Sequence, residues 1–402
     1  MKILVILPRF PYPLEKGDKL RAYHLIRTLA ADNEIHLFAM SHQSVEPSSI
    51  EEMQKYCASV KVVRLSRICG AFRMLRNFLS VRSLQIGYWD SRKARKICRE
   101  YENSVNPDVI YAQMIRTIKY AAHSSRPKVL DFQDALSMNM ERRMSKLRGL
   151  RYFINHYEFK MLRSAEFNAC GIFDALTIIS ETDADSIPRH NNTCIDIVRN
   201  GVDPDYFHPV ECDKKYDLVF CGNMQYKPNI DAACYLVEEI MPLVWKSHPL
   251  TTVLIAGATP RGAVRRLKTD GVTVSGSVDD IRPCYAESRV FVAPMRIGSG
   301  LQNKLLEAMS MGVPCVTTTL ANNSLGATEG TEILVGDNPA AIAAAITRLL
   351  DNSALRNTLV DNAAKFVHSN FSWQSAGTQL QRVLENAIAR HTGNEAVELE
   401  DE

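Results

Sequence analysis

Short, mainly apolar runs recur along the chain. Each is followed by a polar or glycine-bearing turn and then by apolar positions at helical spacing. In the first half these runs are Ile3–Leu7, Ile35–Ala39, Val60–Leu65, a fourth that Pro107 and Asp108 introduce and that runs to Tyr111, then Val129–Phe132, Ala175–Ile179 and Ile195–Val198. In the second half they are Tyr216–Cys221, Thr252–Ala256, Val272–Ser275, Val290–Met295, Cys315–Thr317 and Glu332–Val335. Strands without polar alternation are those buried on both faces, as in parallel sheets. Between them the pattern predicts helices: one carrying Leu20, Tyr23, Ile26 and Leu29, a long one from Ala135 to about Asn168, one that Asn229 caps and that ends at Trp245, then Leu301–Met311, Pro339–Leu350 and Trp373–Arg390. Alternation of this kind indicates α/β architecture, with parallel sheets wound by helices on both faces. It is interrupted once, by the polar segment Pro204–Lys215, which reads as a hinge.

Length agrees with that break, because 402 residues suit two cores better than one. Apolar residues make up 46% and charged residues 23%, the balance of a soluble globular chain. Ten scattered cysteines form no CxxC pair or His/Cys cluster, which argues for a reducing cytoplasm and against zinc or a disulfide framework. The opening MKILVILPRF is too short in apolar length for a signal peptide or a membrane helix and reads as a first strand.

Val290–Thr319 carries the strongest chemical signal. An apolar strand ends at Pro294, Gly298-Ser299-Gly300 turns the chain, and Leu301–Met311 has helical spacing before Gly312-Val313-Pro314 stops it. Glycines between a strand and a helix let an anion approach free N–H groups at the positive end of the helix dipole. Lys304 can then reach a phosphate, and the Glu307 carboxylate can accept from two hydroxyls of a ribose or sugar. Glycines that merely turn the chain are the competing reading.

Several segments together resemble family 4 glycosyltransferases of the GT-B architecture, two doubly wound Rossmann-like domains facing a central cleft. Val198-Arg199-Asn200-Gly201-Val202-Asp203 with Tyr206, Phe207 and Pro209 is similar to the stretch ahead of that family's hinge. Phe220–Lys227 resembles the start of its nucleotide domain, and Gly298–Val316 its donor signature. Gly17-Asp18-Lys19-Leu20-Arg21, Gly222 with Met224, Tyr226, Pro228 and Asn229, and Gly298-x-Gly300-x-x-x-Lys304 look like a subgroup of sugar transferases from bacterial exopolysaccharide and PEP-CTERM-associated loci. The resemblance implies an acceptor-binding domain over residues 1–205, a nucleotide-sugar domain over 206–370, and a closing helix over 371–402 that packs back towards the first domain and ends in an acidic tail. It implies transfer of a sugar, with retention of configuration, from a nucleotide-diphosphate sugar to a glycan or lipid-linked acceptor. The rivals are a non-catalytic nucleotide-sugar-binding protein and a sugar-nucleotide epimerase.

The expected donor residues are Asn223, Lys227, Arg296, Gly298, Gly300, Leu301, Lys304 and Glu307, with Glu307 on the ribose as the resemblance implies. Fixed donors must stabilise the charge that develops on the leaving diphosphate, and the N–H groups of Gly300 and Leu301 with the Lys304 ammonium fit that need. Asp134, Ser299 and Glu307 are the catalytic candidates, while Gly17, Asp18 and Arg21 face the acceptor. Asp131 shares the acceptor-side reading with Asp134, and Asn200-Gly201 reads as a turn. Asp18 and Asp134 read equally as helix caps and Lys227 and Arg296 equally as solvated surface, while for Lys304 and Glu307 the ligand reading outweighs the solvated one. Ser299 stands where the family pattern has a glutamate, Asn223 stands near its arginine, Lys227 is a shifted match to its lysine, and no histidine ends the fifth strand. No metal or other cofactor is expected, since the lysines can serve the diphosphate.

The charge of +3 hides an asymmetry. From Arg64 to Arg99 basic residues interleave with Ile68, Phe72, Met74, Leu75, Phe78, Leu79, Leu84 and Trp89, as in a helix lying on an anionic membrane. A solvated helix face is the alternative. Nucleic acid is not expected as a partner, because no recognisable module is present. The location implied is cytoplasmic, at the inner face of the cytoplasmic membrane.

Overall fold

The computed structural model describes residues 1–80, 82–144, 147–190, 193–298 and 300–400. The chain divides into two compact units: residues Met1–Arg199 with Trp373–Glu402, and residues Asn200–Ser372. The division falls just ahead of the polar Pro204–Lys215 segment.

Unit 1 holds a seven-stranded sheet. Its strands are β1 (Lys2–Leu7), β2 (Glu34–Ser41), β3 (Ser59–Arg64), β4 (Val109–Gln113), β5 (Lys128–Asp131), β6 (Ala175–Ile178) and β7 (Asp196–Ile197). They lie in the order β3-β2-β1-β4-β5-β6-β7, all parallel. Successive residues of β1 enter two different cores. Leu4 and Ile6 pack with Trp89, Cys98 and Leu162, while Ile3, Val5 and Leu7 pack with Leu25, Trp373 and Leu380. Period-two side chains that are apolar on both sides are what a doubly covered sheet requires.

The closing helix Trp373–Glu400 belongs to the second of these cores. Trp373 stacks on His24 with ring centroids 4.7 Å apart, and Asn33 Nδ2 donates to Gln381 Oε1 at 2.8 Å. Gly377 lets the helix pass close to Thr28, where a Cβ would lie 2.2 Å from the Thr28 methyl.

Unit 2 holds a six-stranded parallel sheet in the order β10-β9-β8-β11-β12-β13. These strands are β8 (Tyr216–Cys221), β9 (Val253–Ala256), β10 (Val272–Gly276), β11 (Ser288–Ala293), β12 (Cys315–Thr317) and β13 (Leu334–Val335). In both sheets the strand order reverses next to the first strand of the unit, and the carboxyl ends at such a point form the crevice that α/β sheets use for ligands. The expected α/β class with two doubly wound Rossmann-like units is the fold observed.

Helices depart from the sequence reading more than strands do. The basic stretch is not one helix but three, Arg67–Leu79, Leu84–Trp89 and Arg92–Val105. Ser66, Ser83 and Ser91 cap them, each accepting from the backbone N–H three residues on. The long helix after β5 is two, Leu136–Met144 and Leu150–Ala169. Asn229 is not a cap: its helix starts at Lys227, with Pro228 in the first turn where a missing N–H costs nothing. Among the described residues no helix is long and apolar enough to cross a membrane.

Candidate functional site

In unit 2 the loops leaving β8, β9 and β10 are bonded to one another. Gly222 N–H donates to Ala256 O at 3.0 Å, Met224 N–H to Ala258 O at 2.9 Å and Gly257 N–H to Gly276 O at 3.2 Å. Gly257 has φ of 138°, and a Cβ there would come within 1.8 Å of the Gly222 carbonyl oxygen. Glycine is therefore required for these two strand ends to meet. Beside them β11 ends at Ala293, and the following loop is pinned by Thr318, whose hydroxyl donates to Met295 O at 2.7 Å.

The helix after this loop spans Asn303–Ser310, starting two residues later than the periodicity predicts. Gln302 precedes it in an extended conformation, and its amide donates to Gly300 O at 2.8 Å. Leu301 is thus a loop residue, partly buried against the core. Gly298 has φ of 103°, a conformation that favours glycine, and a Cβ on Gly300 would meet nothing within 4 Å. Ser299 lies outside the described residues.

Lys304 and Glu307 both point into this glycine-lined end of the sheet. The Lys304 ammonium donates to Asn229 Oδ1 and sits 4.9 Å from the centroid of the Phe220 ring. Burial lowers its pKa to about 8, against the pull of Cys221 and Glu307. Glu307 Oε2 accepts from the Tyr285 hydroxyl at 2.7 Å. Burial pushes the Glu307 carboxyl upward, opposed by that hydrogen bond and by Lys304. Asn229 Nδ2 in turn donates to Asn223 O at 3.0 Å, so the loop after β8, the Lys227–Tyr235 helix and the Asn303–Ser310 helix share one network. Asn303 Oδ1 accepts from Asn200, which ties the Asn200-Gly201 turn to the start of the same helix.

The network can hold a diol on Glu307 and a diphosphate on Lys304 and the Gly298–Gly300 loop. It brings together three of the sequence candidates, Asn223, Lys304 and Glu307, with Gly298, Gly300 and Leu301 in the loop ahead of the same helix. Lys227 is exposed at the first position of its helix. Arg296 is already engaged. Its guanidinium stacks 3.9 Å from the Tyr235 ring centroid and pairs with Asp231 and Glu239, each at 3.1 Å. The sequence reading missed Tyr285, Asn229 as a ligand of lysine, and the Phe220 ring. Tyr285 carries no sequence signal, since only the packing of the Arg282–Ala286 helix against β11 sets it opposite Glu307.

At the strand ends of unit 1 the outcome is divided. Arg21 does not face an acceptor. It has no exposed surface, and its Nε pairs with Asp131 Oδ2 at 2.7 Å, an oxygen that also accepts from Tyr111 at 2.6 Å. Arg21 and Asp131 therefore form a buried ion pair that locks the Gly17–Leu29 helix to β5. Asp18 is in the first turn of that helix rather than at its cap, and it pairs with Arg9 at 2.5 Å. Gly17 is exposed beside it. Asp134 does not cap a helix either: the helix begins at Leu136, which leaves Ala135 at the cap position, and the Ser137 N–H donates to Glu166. Asp134 Oδ2 accepts from Asn139 at 3.0 Å, and burial, aided by the Asp183 charge, raises its pKa to about 6. A carboxyl tuned towards neutrality at a strand end is suited to general base work.

Comparison with known proteins adds to this geometry. Residues 215–352 match the family model described as glycosyl transferases group 1. The chain is 23% identical to an uncharacterised 44.6 kDa protein in the cps region of Klebsiella pneumoniae, over 92% of this chain and 96% of that protein. An uncharacterised glycosyltransferase of Methanocaldococcus jannaschii is 27% identical over 30% of this chain and 31% of its own. Among solved structures, the sucrose-phosphate synthase of Thermosynechococcus elongatus superposes with a TM-score of 0.71 at 14% identity, over 97% of this chain and all of that one. Anabaena HepE, solved in complex with UDP and glucose, superposes with a TM-score of 0.68 at 15% identity, over 95% of this chain and 99% of its own. The fold is that of GT-B glycosyltransferases, and the domain match over unit 2 supports a glycosyltransferase.

Proposed function

We propose that the protein is a bacterial hexosyltransferase of the family 4 type that moves a sugar from a nucleotide-diphosphate sugar to a glycan or lipid-linked acceptor in exopolysaccharide synthesis. The observation that carries this reading is the Lys304–Asn229 and Glu307–Tyr285 pairing at the glycine-lined strand ends of unit 2, inside the segment that matches group 1 glycosyl transferases. The cps-region relative and the UDP-bound solved relative agree with it.

In this reading Glu307 accepts from both ribose hydroxyls, and Tyr285 holds the carboxylate in place. Lys304 and the N–H groups around Gly298 and Gly300 bind the diphosphate and stabilise the charge it gains as the glycosidic bond breaks. These groups serve without a metal ion. Asp134 receives the acceptor proton in unit 1, near Asp18. Retention of configuration is what the family resemblance implies. The enzyme works in the cytoplasm at the anionic inner face of the membrane.

The test is nucleotide release. Purified protein with a panel of UDP-, GDP- and ADP-sugars and a bacterial lipid extract is expected to liberate nucleoside diphosphate from one donor. Tight donor binding with no release under any acceptor would instead indicate a non-catalytic binding protein.

A further inference from the structure

The three helices of the basic stretch border an open recess, and three of the arginines along it, Arg76, Arg82 and Arg92, are exposed. Unit 1 contains a cavity of about 650 Å³ between these helices, the helix Ile118–Ala121 and the helix Leu150–Ala169. Arg76, Arg82, Arg92, Arg95 and Lys119 line it, and Asp90 is the one carboxylate among its described lining residues. Asp90 is buried and spent on two of these cations, with Arg95 Nε and Lys119 Nζ each 3.0 Å away. Arg76, Arg82 and Arg92 form no ion pair among the described residues. Glu158 forms no ion pair with them among the described residues; its carboxylate accepts from Ser83 Oγ and from the N–H groups of Leu84 and Gln85.

Arg92 is also badly placed for stability alone. It opens a fourteen-residue helix with no acidic residue in the first turn, where the helix dipole repels positive charge, and unlike Arg95 in the same turn it has no pair with Asp90. Such a local conflict is characteristic of a site kept for a ligand. An apolar ridge adjoins the cavity. On the Arg67–Leu79 helix, Ile68, Phe72, Leu75 and Leu79 share one face and are all more than half exposed. Phe78, at 5.1 Å from Tyr157, continues this ridge to the exposed Leu150, Phe153 and Ile154.

We propose that this cavity binds the phosphate of an anionic phospholipid headgroup, while the ridge seats in the acyl boundary of the same bilayer. Charge complementarity selects the headgroup, and the exposed aromatic and aliphatic ridge selects a bilayer over a soluble phosphate ester. The site is separate from the donor network and does not depend on the glycosyltransferase reading.

The experiment uses the full chain, with sn-glycerol 3-phosphate titrated by calorimetry and phosphatidylcholine vesicles, with and without phosphatidylglycerol, in flotation. Binding of glycerol phosphate should be saturable, weakened on the order of tenfold or more in Arg82→Gln/Arg92→Gln, retained in Arg82→Lys/Arg92→Lys, and unchanged in Lys304→Ala. Flotation with phosphatidylglycerol should fall both in that glutamine pair and in Phe72→Ser/Leu75→Ser, which leaves glycerol phosphate binding intact. Equal glycerol phosphate affinity in wild type and the glutamine pair would overturn the cavity assignment. Flotation unaffected by either pair would overturn the lipid source.

Discussion

The Tyr285 hydroxyl donates to Glu307 Oε2 at 2.7 Å, across 22 residues of sequence. It is the hydrogen bond that restrains the upward shift burial imposes on the carboxyl. Glu307→Ala should therefore weaken nucleotide-sugar binding by at least about tenfold, the cost of removing two charge-assisted hydrogen bonds. Tyr285→Phe should act more subtly. The Glu307 pKa rises further, so the acid limb of donor affinity against pH moves to higher pH while affinity on the alkaline side of that limb changes little. Calorimetric titrations across pH 5 to 8 separate the two behaviours.

Lys304 makes an opposite limb. Its ammonium is lowered to about 8 by burial, and only the protonated form pairs with a diphosphate. Donor affinity in the wild type should fall as pH rises through about 8, and the fall should disappear in Lys304→Ala, whose affinity is low throughout. A bound diphosphate raises the lysine pKa, so the descending limb of the complex lies at higher pH than that of the free protein. Turnover should be unaltered by EDTA, since the charge is met by the lysine and backbone N–H groups.

Asp134 should trade stability for activity. Its folded pKa of about 6 lies above the ordinary aspartate value of 3.8, so the native state holds the proton more tightly than the unfolded chain does. Stability from this group is present below about pH 4 and is lost as pH rises through 6. Asp134→Asn should therefore raise stability at pH 7 by about 1–3 kcal/mol and make no difference near pH 3.5, while sugar transfer drops. Denaturant melts at the two pH values, read beside a transfer assay, check both parts.

Arg21 and Asp131 should behave in the reverse way. Breaking a fully buried pair leaves an uncompensated charge, at a cost of about 3–5 kcal/mol. Arg21→Met should lower the melting temperature strongly. It should leave nucleotide-sugar affinity at low temperature as in the wild type, because unit 2 holds the donor network.

The strands among the described residues were legible in the sequence, most plainly where runs such as Val290–Ala293 and Val253–Ala256 are buried on both faces and so carry no polar alternation. The Gly298–Glu307 segment was legible for a related reason: glycine, lysine and glutamate stand at fixed spacing on one turn and one helix face. Long-range partners were not. Tyr285, Asn229 and Asp183 enter their networks through the packing of separate helices, which no local pattern encodes. Arg21 shows the converse failure. A charged residue in a glycine-rich loop motif reads as a ligand group, yet the fold places it in the core opposite Asp131. The helix boundaries around Gln302 and Met144 were missed for want of a strong cap or a proline to mark them.

The central claim is that unit 2 holds a nucleotide-diphosphate sugar on Glu307 and Lys304, and a crystal structure of that complex tests it most directly. The quantity to measure is the distance from the two ribose hydroxyl oxygens to the Glu307 carboxylate. Both are expected within about 3.2 Å, with a diphosphate oxygen equally close to Lys304 Nζ. A nucleotide bound with its ribose hydroxyls on another group, and the Glu307 carboxylate left with Tyr285 as its partner, would contradict the account.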